Sequence, residues 1–587
     1  MTAPVVVILA AGQGTRMRSS VQKLLHPLCG RPIVQWPIAA AREAGAGRVV
    51  VVDSPERRLE SVTGDGVELA IQQEPRGTAD AVKAAAALVG ADQTVVVING
   101  DVPLVRPATL HALIEAHDKS HSAATIVTVV LSDPSGYGRV IRAPDGTVER
   151  VVETKAGGDA TEHERQIREV NTGMFAFDGD ALLMALEQVR ADNAQGEYYL
   201  PDVLPILRER ERTVDAFELE DPEELLQINN RVQLAEVTAV AQRQIHEAHM
   251  LAGVTIVNPA ATVIDHGVQI GQDTVIAPFT SLHGTTRIGS DATIGPGSTL
   301  IDATVGDGST LLHCYVTGAE VGERVSVGPF AYLRPGTVMR DGSKAGTFVE
   351  IKNSDVGAGT KIPHLSYIGD AEIGERTNLG AATITANYDG YRKHRTRIGS
   401  RVKTSVDTVL VAPVTVGDDA FTAAGSVIGS DVPDGALAGS PGVSRSAQRT
   451  VEGYAAARAR RADAEGAGTP APGDASHPGQ DAAHAGASGD AAPADDAAPA
   501  DAAPADAAPA AAAGAPPPSE PAGDGAGTTA EPEPPDPELE QIREWDAAGR
   551  TDAWIAYRLG VSVQRVQERK AEAGVDQAPA TGSLERG

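Results

Sequence analysis

Leu9-Ala10-Ala11-Gly12-Gln13-Gly14-Thr15-Arg16-Met17 follows directly on the apolar run Val5-Val6-Val7-Ile8. A short β-branched strand that runs into a glycine-bearing turn reads as the first unit of an α/β sheet. Gly12 and Gly14 let backbone N–H groups come close to anionic oxygens, and Thr15, Arg16 and Lys23 add charge-assisted donors. A triphosphate suits such a turn. Two glycines also make a tight strand-to-helix turn with no ligand at all, so the sequence around them has to decide.

Outward from that stretch, the strand-like runs Val49 to Val52, Thr94 to Ile98 and Thr125 to Leu131 alternate with Ala/Leu-rich helical segments. This rhythm predicts a Rossmann-like domain with a mostly parallel sheet over residues 1–228. Asp101 follows the apolar strand Val95 to Ile98, at the carboxyl end of the sheet, where open α/β sheets place their ligands. Residues 229–252 carry neither Gly nor Pro until past Leu251 and predict a connecting helix.

From 253 to 452 an aliphatic residue followed by Gly recurs, as in Ile270-Gly271, Ile288-Gly289, Ile294-Gly295, Val321-Gly322, Val327-Gly328, Ile373-Gly374 and Val416-Gly417. Many gaps are six or multiples of six, which predicts a parallel β-helix of hexapeptide repeats with its aliphatic column inside. The gap from Leu379 to Ile398 is nineteen, and its extra length falls on Asn387 to Arg395, read as a projecting loop.

A chain of 587 residues exceeds one hydrophobic core. Its net charge of -29 is concentrated between about Asp463 and Glu540, and nothing in the overall balance draws it to nucleic acid or an anionic membrane. Cys29 and Cys314 form neither a disulfide framework nor a metal-ligand spacing, so a cytoplasmic location is expected. The apolar start lacks the basic residues of a signal peptide, and no run is long and apolar enough to cross a bilayer.

Residues 453–535 are Ala, Pro, Gly and Asp in low-complexity order and predict a disordered linker. Residues 536–574 regain helical periodicity, with Leu539, Ile542 and Trp545 on one face and Gly560 and Ser562 placed as in a helix-turn-helix; 575–587 read as disordered. The module holds eight acidic and six basic residues, which favours a protein-docking or solubility role over a DNA reader. A regulator that contacts DNA through this tail is the rival reading.

Leu9 to Met17 is joined by Lys23-Leu24-Leu25-His26, Gln72, Gly77-Thr78, Asn99-Gly100-Asp101-Val102-Pro103-Leu104, Gly136-Tyr137-Gly138-Arg139, Glu153, Asn171-Thr172-Gly173 and Asn193 to Tyr199. Together these strings resemble the signature of sugar-1-phosphate nucleotidyltransferases. With the repeats, residues 3 to 450 resemble the bacterial bifunctional N-acetylglucosamine-1-phosphate uridylyltransferase/glucosamine-1-phosphate N-acetyltransferase family.

That resemblance implies a left-handed β-helix, assembly as a homotrimer with acetyltransfer sites between subunits, and synthesis of UDP-N-acetylglucosamine for peptidoglycan precursors. Ala11, Gly12, Gln72, Gly77 and Thr78 would cradle uracil and phosphates; Gly138, Glu153, Asn171 and Asn229 would surround the sugar; Leu9, Ala10, Asn99 and Gly100 complete the site. Asp101 and Asn229 would hold Mg²⁺. The sugar phosphate itself attacks the α-phosphorus of UTP, so Arg16 and Lys23 have only to position and neutralise charge.

In the coil, Lys361-Ile362-Pro363-His364-Leu365-Ser366-Tyr367 resembles the family's general-base motif, with His364 taking the amine proton as acetyl-CoA is attacked. By the same resemblance Arg334 and Lys352 face the sugar phosphate, and Tyr367 and Asn378 the sugar. Ala381, Asn387, Tyr388 and Ala424 match acetyl-CoA contacts. Here the chain departs from the pattern: Val406 stands where a Ser is common, with Ser405 beside it, and Ser440-Pro441 replaces an Arg, leaving Arg445 nearby. Arg392, Lys393, Arg395 and Arg397 either face CoA phosphates or form a solvated basic loop. These departures keep open an alternative, a uridylyltransferase whose β-helix is only a trimerising scaffold.

Overall fold

The computed structural model describes residues 3–154, 160–193, 196–439, 460, 542–543, 565–566 and 569–570. The chain divides into two compact units, Met1–Gly473 and Asp474–Gly587. In the second, the described residues Ile542, Arg543, Arg565, Val566, Arg569 and Lys570 are helical. All of the low-complexity linker but Arg460, which is helical, most of the helix-turn-helix-like module, the segment 575–587, and Ser440, Pro441 and Arg445 lie outside the described residues.

Strands rich in Val and Ile build the first sheet, in the order Val214–Glu218, Ala124–Val130, Glu169–Asp178, Thr94–Asn99, Val5–Leu9, Arg48–Asp53, Val67–Ile71. All run parallel except Glu169–Asp178, which is antiparallel to both neighbours. Val5, Val6, Val7 and Ile8 are all fully buried. Successive side chains point to opposite faces, so Val6 and Ile8 join one core cluster while Val5 and Val7 join another. A hairpin, Arg139–Arg142 with Val148–Val152, is attached through Arg139 opposite Val170.

The chain leaves Val5–Leu9 for the Arg48–Asp53 side and later returns to lay Thr94–Asn99 on the other flank. Strand order therefore reverses between Leu9 and Asn99, and the crevice at their carboxyl ends opens there. The Gly100 N–H closes its floor on the Leu9 carbonyl at 2.8 Å.

The connecting helix spans Arg231–Leu251. Its N-cap is Asn230, whose side chain accepts from the Gln233 N–H at 2.9 Å. Val237, Val240, Ala241 and Ile245 form its buried stripe. Gln242 joins this helix to both neighbours: its amide N donates to the Ile264 carbonyl (2.7 Å) and to Cys29 Sγ (3.1 Å), and its oxygen accepts from the Ile264 N–H (2.9 Å).

Beyond the helix, three parallel sheets wind around one axis, starting at Thr255–Ile256, Val263–Ile264 and Gln269–Ile270. Val275 pairs with Thr293, Thr293 with Thr310 and Thr310 with Ser326, one coil at a time. Ile276, Ile294, Leu311 and Val327 stack inward, each buried. Hydroxyls at the corners are buried too, and satisfy local carbonyls: Thr280 Oγ1 donates to Ala277 O at 2.7 Å and Thr383 Oγ1 to Gly380 O at 2.7 Å. The projecting loop is present: a bond from the Ala371 N–H to Ser354 Oγ spans 17 residues, whereas the one from the Glu375 N–H to Ser400 Oγ spans 25.

Candidate active sites

Gln22 starts a short 3-10 turn, Lys23–Leu25, by accepting from the Leu24 N–H at 2.6 Å, and this turn aims Lys23 into the crevice. Lys23 Nζ donates to Asp101 Oδ2 at 2.6 Å and to Asn229 Oδ1 at 3.3 Å, and Arg16 Nη2 donates to the same Asn229 oxygen at 3.0 Å. Gly14 makes this possible. It sits at φ 60, where a Cβ would lie 2.5 Å from Lys23 Cβ. At Gly12 a Cβ would meet no protein atom within 4 Å, which leaves its backbone open toward the crevice.

Beside this cluster lies a cavity of about 520 Å³. Of the residues expected around UDP-N-acetylglucosamine, Leu9, Arg16, Thr78, Asn99, Gly138, Glu153, Asn171 and Asn229 line it. Gln72 and Gly77 stand together at a neighbouring edge, the Gln72 amide N donating to Gly77 O at 3.1 Å and to Asp80 Oδ2 at 2.9 Å. Thr78 Oγ1 accepts from the Leu200 N–H (2.9 Å) and Asn171 Oδ1 from the Gly173 N–H (2.9 Å), which fixes both rotamers. Burial pushes the Tyr137 phenol up from its ordinary range.

Tyr199, Gln233 and Glu236 also line this cavity and were not picked out from the sequence as site residues. Tyr199 sits in a string already noticed. Gln233 and Glu236 belong to the connecting helix, and only their helical spacing past Asn229, about one and two turns on, hinted at a shared face.

In the coil, His364 ends the strand Lys361–His364 and is exposed. The His364 carbonyl accepts from the Ala382 N–H, the Ala381 carbonyl from the Asp407 N–H, and the Val406 carbonyl from the Gly425 N–H. One corner of the coil thus carries His364, Ala381, Val406 and Ala424 in successive turns. Val406 occupies the column, 48% exposed, and Ser405 stands one residue back with its carbonyl accepting from Thr408 Oγ1 at 2.9 Å. The same corner bears Phe330, Phe348 and Leu365, all exposed, with the two Phe rings stacked at 5.5 Å.

Round the corner, Glu350 pairs with Tyr367 in adjacent strands and Lys352 with Gly369. Arg334 Nη1 donates to Glu350 Oε1 at 2.8 Å, a bond that raises the guanidinium pKa. Lys352 Nζ donates to both oxygens of Asp370, at 2.9 and 3.0 Å. Asn387 Nδ2 donates to Asp370 Oδ2 at 2.5 Å and reaches Tyr367 Oη at 3.5 Å. Asn378 lies instead on the adjoining sheet, bridged to Lys361 and Lys403.

In the projecting loop the Tyr388 hydroxyl donates to Gly390 O at 2.7 Å. Asp389 accepts from the backbone N–H of Arg392, the His394 ring and the Tyr391 N–H, which together hold its carboxyl well below the usual carboxylate range. Arg395 and Arg397 both turn onto Glu372, at 3.0 and 3.2 Å, so these two of the four basic residues are engaged along another sheet of the coil.

The MobA-like NTP transferase domain family matches residues 6–160, and the bacterial transferase hexapeptide family (six repeats) matches residues 267–302. The bifunctional protein GlmU of Mycolicibacterium vanbaalenii is 48% identical over 459 residues, covering 76% of this chain and 92% of that protein. The chain belongs to the bifunctional GlmU family. GlmU of Streptomyces avermitilis is also 48% identical, over 460 residues, covering 77% of this chain and 94% of its own; GlmU of Mycolicibacterium smegmatis is 46% identical over 485 residues, covering 81% and 99%. The first domain is accordingly the nucleotidyltransferase part of a bifunctional GlmU-type enzyme, and the coil its acyltransferase part. Among the described residues no helix is long and apolar enough to cross a membrane.

Proposed function

We propose that the coil acetylates glucosamine-1-phosphate with acetyl-CoA, and that the crevice transfers uridylyl from UTP to the resulting N-acetylglucosamine-1-phosphate, releasing pyrophosphate and supplying UDP-N-acetylglucosamine for the cell envelope. The observation that carries this reading is the convergence of Lys23, Arg16, Asp101 and Asn229 beside the 520 Å³ cavity. Cations there neutralise charge that builds on the transferring phosphoryl group. The cavity wall of amide, carboxylate and backbone groups suits sugar hydroxyls.

The donor set fits Mg²⁺: Asp101 Oδ2 and Asn229 Oδ1 are hard oxygens aimed at one point, where the Lys23 ammonium now sits. Among the described residues no group of three or more His, Cys, Asp or Glu could hold a metal, so an ion held by these two would draw its other ligands from phosphates and water. When bound it would neutralise phosphate charge. Release from Asp101 would leave Lys23 free to donate to a phosphate oxygen beside Arg16, which shares the Asn229 oxygen with it.

In the coil, His364 takes the amine proton of glucosamine while Arg334 and Lys352 hold the phosphate and Tyr367 the sugar. The column of Ala381, Val406 and Ala424 above His364 offers small or apolar side chains to the pantetheine arm of acetyl-CoA. The adjacency of these groups favours an active acetyltransferase over a bare scaffold. The exposed Phe330, Phe348 and Leu365 beside His364 form the apolar face on which copies of the chain would join into a trimer. Two buried, unpaired thiols accord with a cytoplasmic protein.

A paired assay of both half-reactions with magnesium present tests the reading. Asp101→Ala is expected to abolish uridylyl transfer and spare acetyl transfer, and His364→Ala the reverse. Wild-type acetylation by His364→Ala would overturn the assignment of the base.

A further inference from the structure

Asp370 is a buried carboxylate in the coil that the mechanism above does not use. It is 8% exposed and sits at φ 52, directly after Gly369. Three side chains from two places in the chain donate to it: Lys352 to both oxygens, its neighbour Asn353 Nδ2 to Oδ1 at 2.7 Å, and Asn387 Nδ2 to Oδ2 at 2.5 Å. Gly369 makes room for them, since a Cβ there would lie 2.5 Å from Tyr367 Oη and 2.6 Å from Asn387 Nδ2. Burial alone would push the Asp370 carboxyl up, yet the hydrogen bonds from Asn353, Lys352 and Asn387 outweigh it and hold the group below the usual carboxylate range.

Lys352 and Asn387 are assigned to different substrates, the first to the phosphate of the amino sugar and the second to acetyl-CoA; Asn387 also reaches Tyr367, assigned to the sugar. We propose that Asp370 is a positioning residue that holds Lys352 and Asn387 in fixed relation, so that one carboxylate sets the geometry of both the sugar-phosphate and the acetyl-donor contacts. The proposal rests on the roles given above to Lys352 and Asn387. The contrast with Arg334 supports it. The Arg334–Glu350 pair has side chains 38% and 39% exposed and is held by one donor, whereas Lys352 and Asp370 are 17% and 11% exposed and tied through several. A well-screened surface pair can open when substrate arrives, while a buried, multiply bonded one stays closed and orients what it holds.

An Asn at position 370 removes the charge and places an amide donor against Lys352 or Asn387, while accepting the left-handed backbone. Steady-state kinetics of the full chain are measured for wild type, Asp370→Asn, Lys352→Met and the double variant. Asp370→Asn is expected to raise the KM for glucosamine-1-phosphate about tenfold or more and that for acetyl-CoA severalfold, with uridylyl transfer by the same preparation unchanged. If Asp370 acts through Lys352, adding Asp370→Asn to Lys352→Met raises the sugar-phosphate KM no further.

An equal rise in both backgrounds, or an Asp370→Asn enzyme within twofold of wild type in both KM values, overturns the proposal. A sugar-phosphate KM unmoved by Lys352→Met overturns the role of Lys352 and, with it, this proposal. Asp370→Gly, which that backbone also accepts, is read on the same scale should the Asn variant fail to fold.

Discussion

Asn229 and Asn230 are adjacent in the chain and serve two different structures. Asn230 caps the helix Arg231–Leu251 through the Gln233 N–H, while Asn229 turns its amide oxygen onto Lys23 and Arg16. Asn230→Ala should therefore lower stability by about 1 kcal/mol with little change in kcat for uridylyl transfer. Asn229→Ala should leave the thermal midpoint near wild type and raise the magnesium concentration needed for half-maximal uridylyl transfer. Calorimetry together with a pyrophosphate-release assay separates the two.

The two glycines of the first turn are expected to part company in the same way. Gly14→Ala meets both the left-handed backbone and the Lys23 side chain at 2.5 Å, so it should cost about 1 to 2 kcal/mol and displace the lysine, with uridylyl transfer falling at least tenfold. Gly12→Ala meets no protein atom; it should fold as wild type and show a raised KM for UTP. Equal KM values for UTP in Gly12→Ala and wild type would remove Gly12 from the site.

Phe348 is 56% exposed and stacked on Phe330, so Phe348→Asp should cost the isolated fold little. If that corner joins copies of the chain, the variant should elute as a smaller species in size-exclusion chromatography with light scattering. It should also lose acetyl transfer while keeping uridylyl transfer.

Cys314 is buried, and burial pushes its thiol up to about 11, only partly offset by Ser298. The unfolded chain loses this proton first as pH rises, so the stabilisation is complete below the unfolded thiol pKa, near 9, and is lost between there and about 11. The contribution lost by pH 10 is about 1 kcal/mol. Denaturant melts of wild type and Cys314→Ser should converge relative to one another over this range. The native thiol should also resist alkylation at pH 8.

The strand-to-turn motif and the period of six were legible because each is a local rule repeated: Val5–Leu9 is buried on both faces, and Ile276, Ile294 and Leu311 stack one coil apart. Asn229 was harder. Its neighbour is an equally good helix cap, and only the folded chain assigns the two roles. Asp370 left no trace, because Asp recurs in the turns of this coil, where Asp307 and Asp341 accept backbone N–H groups. Its distinction comes from Lys352, Asn353 and Asn387 meeting at one point, which spacing along the chain does not encode. Arg395 and Arg397 read as part of a basic loop, but the strand Thr396–Ile398 begins between them: its register sets Arg397 opposite Glu372, and Arg395, one residue before it, reaches the same carboxylate.

The helix Arg231–Leu251 belongs to both halves at once. Its first turns supply Gln233, Glu236 and Val237 to the cavity beside Lys23, and Gln242, further along, fastens Cys29 to Ile264. A fragment cut where the sheet ends would thus lose a wall of its own cavity, and a coil freed of the helix would bare the edge at Ile264. Dissection of this enzyme into single-activity pieces has to leave the helix with the first half and give the second a new lid, because the fusion behaves as a mortised joint and not as two beads on a string.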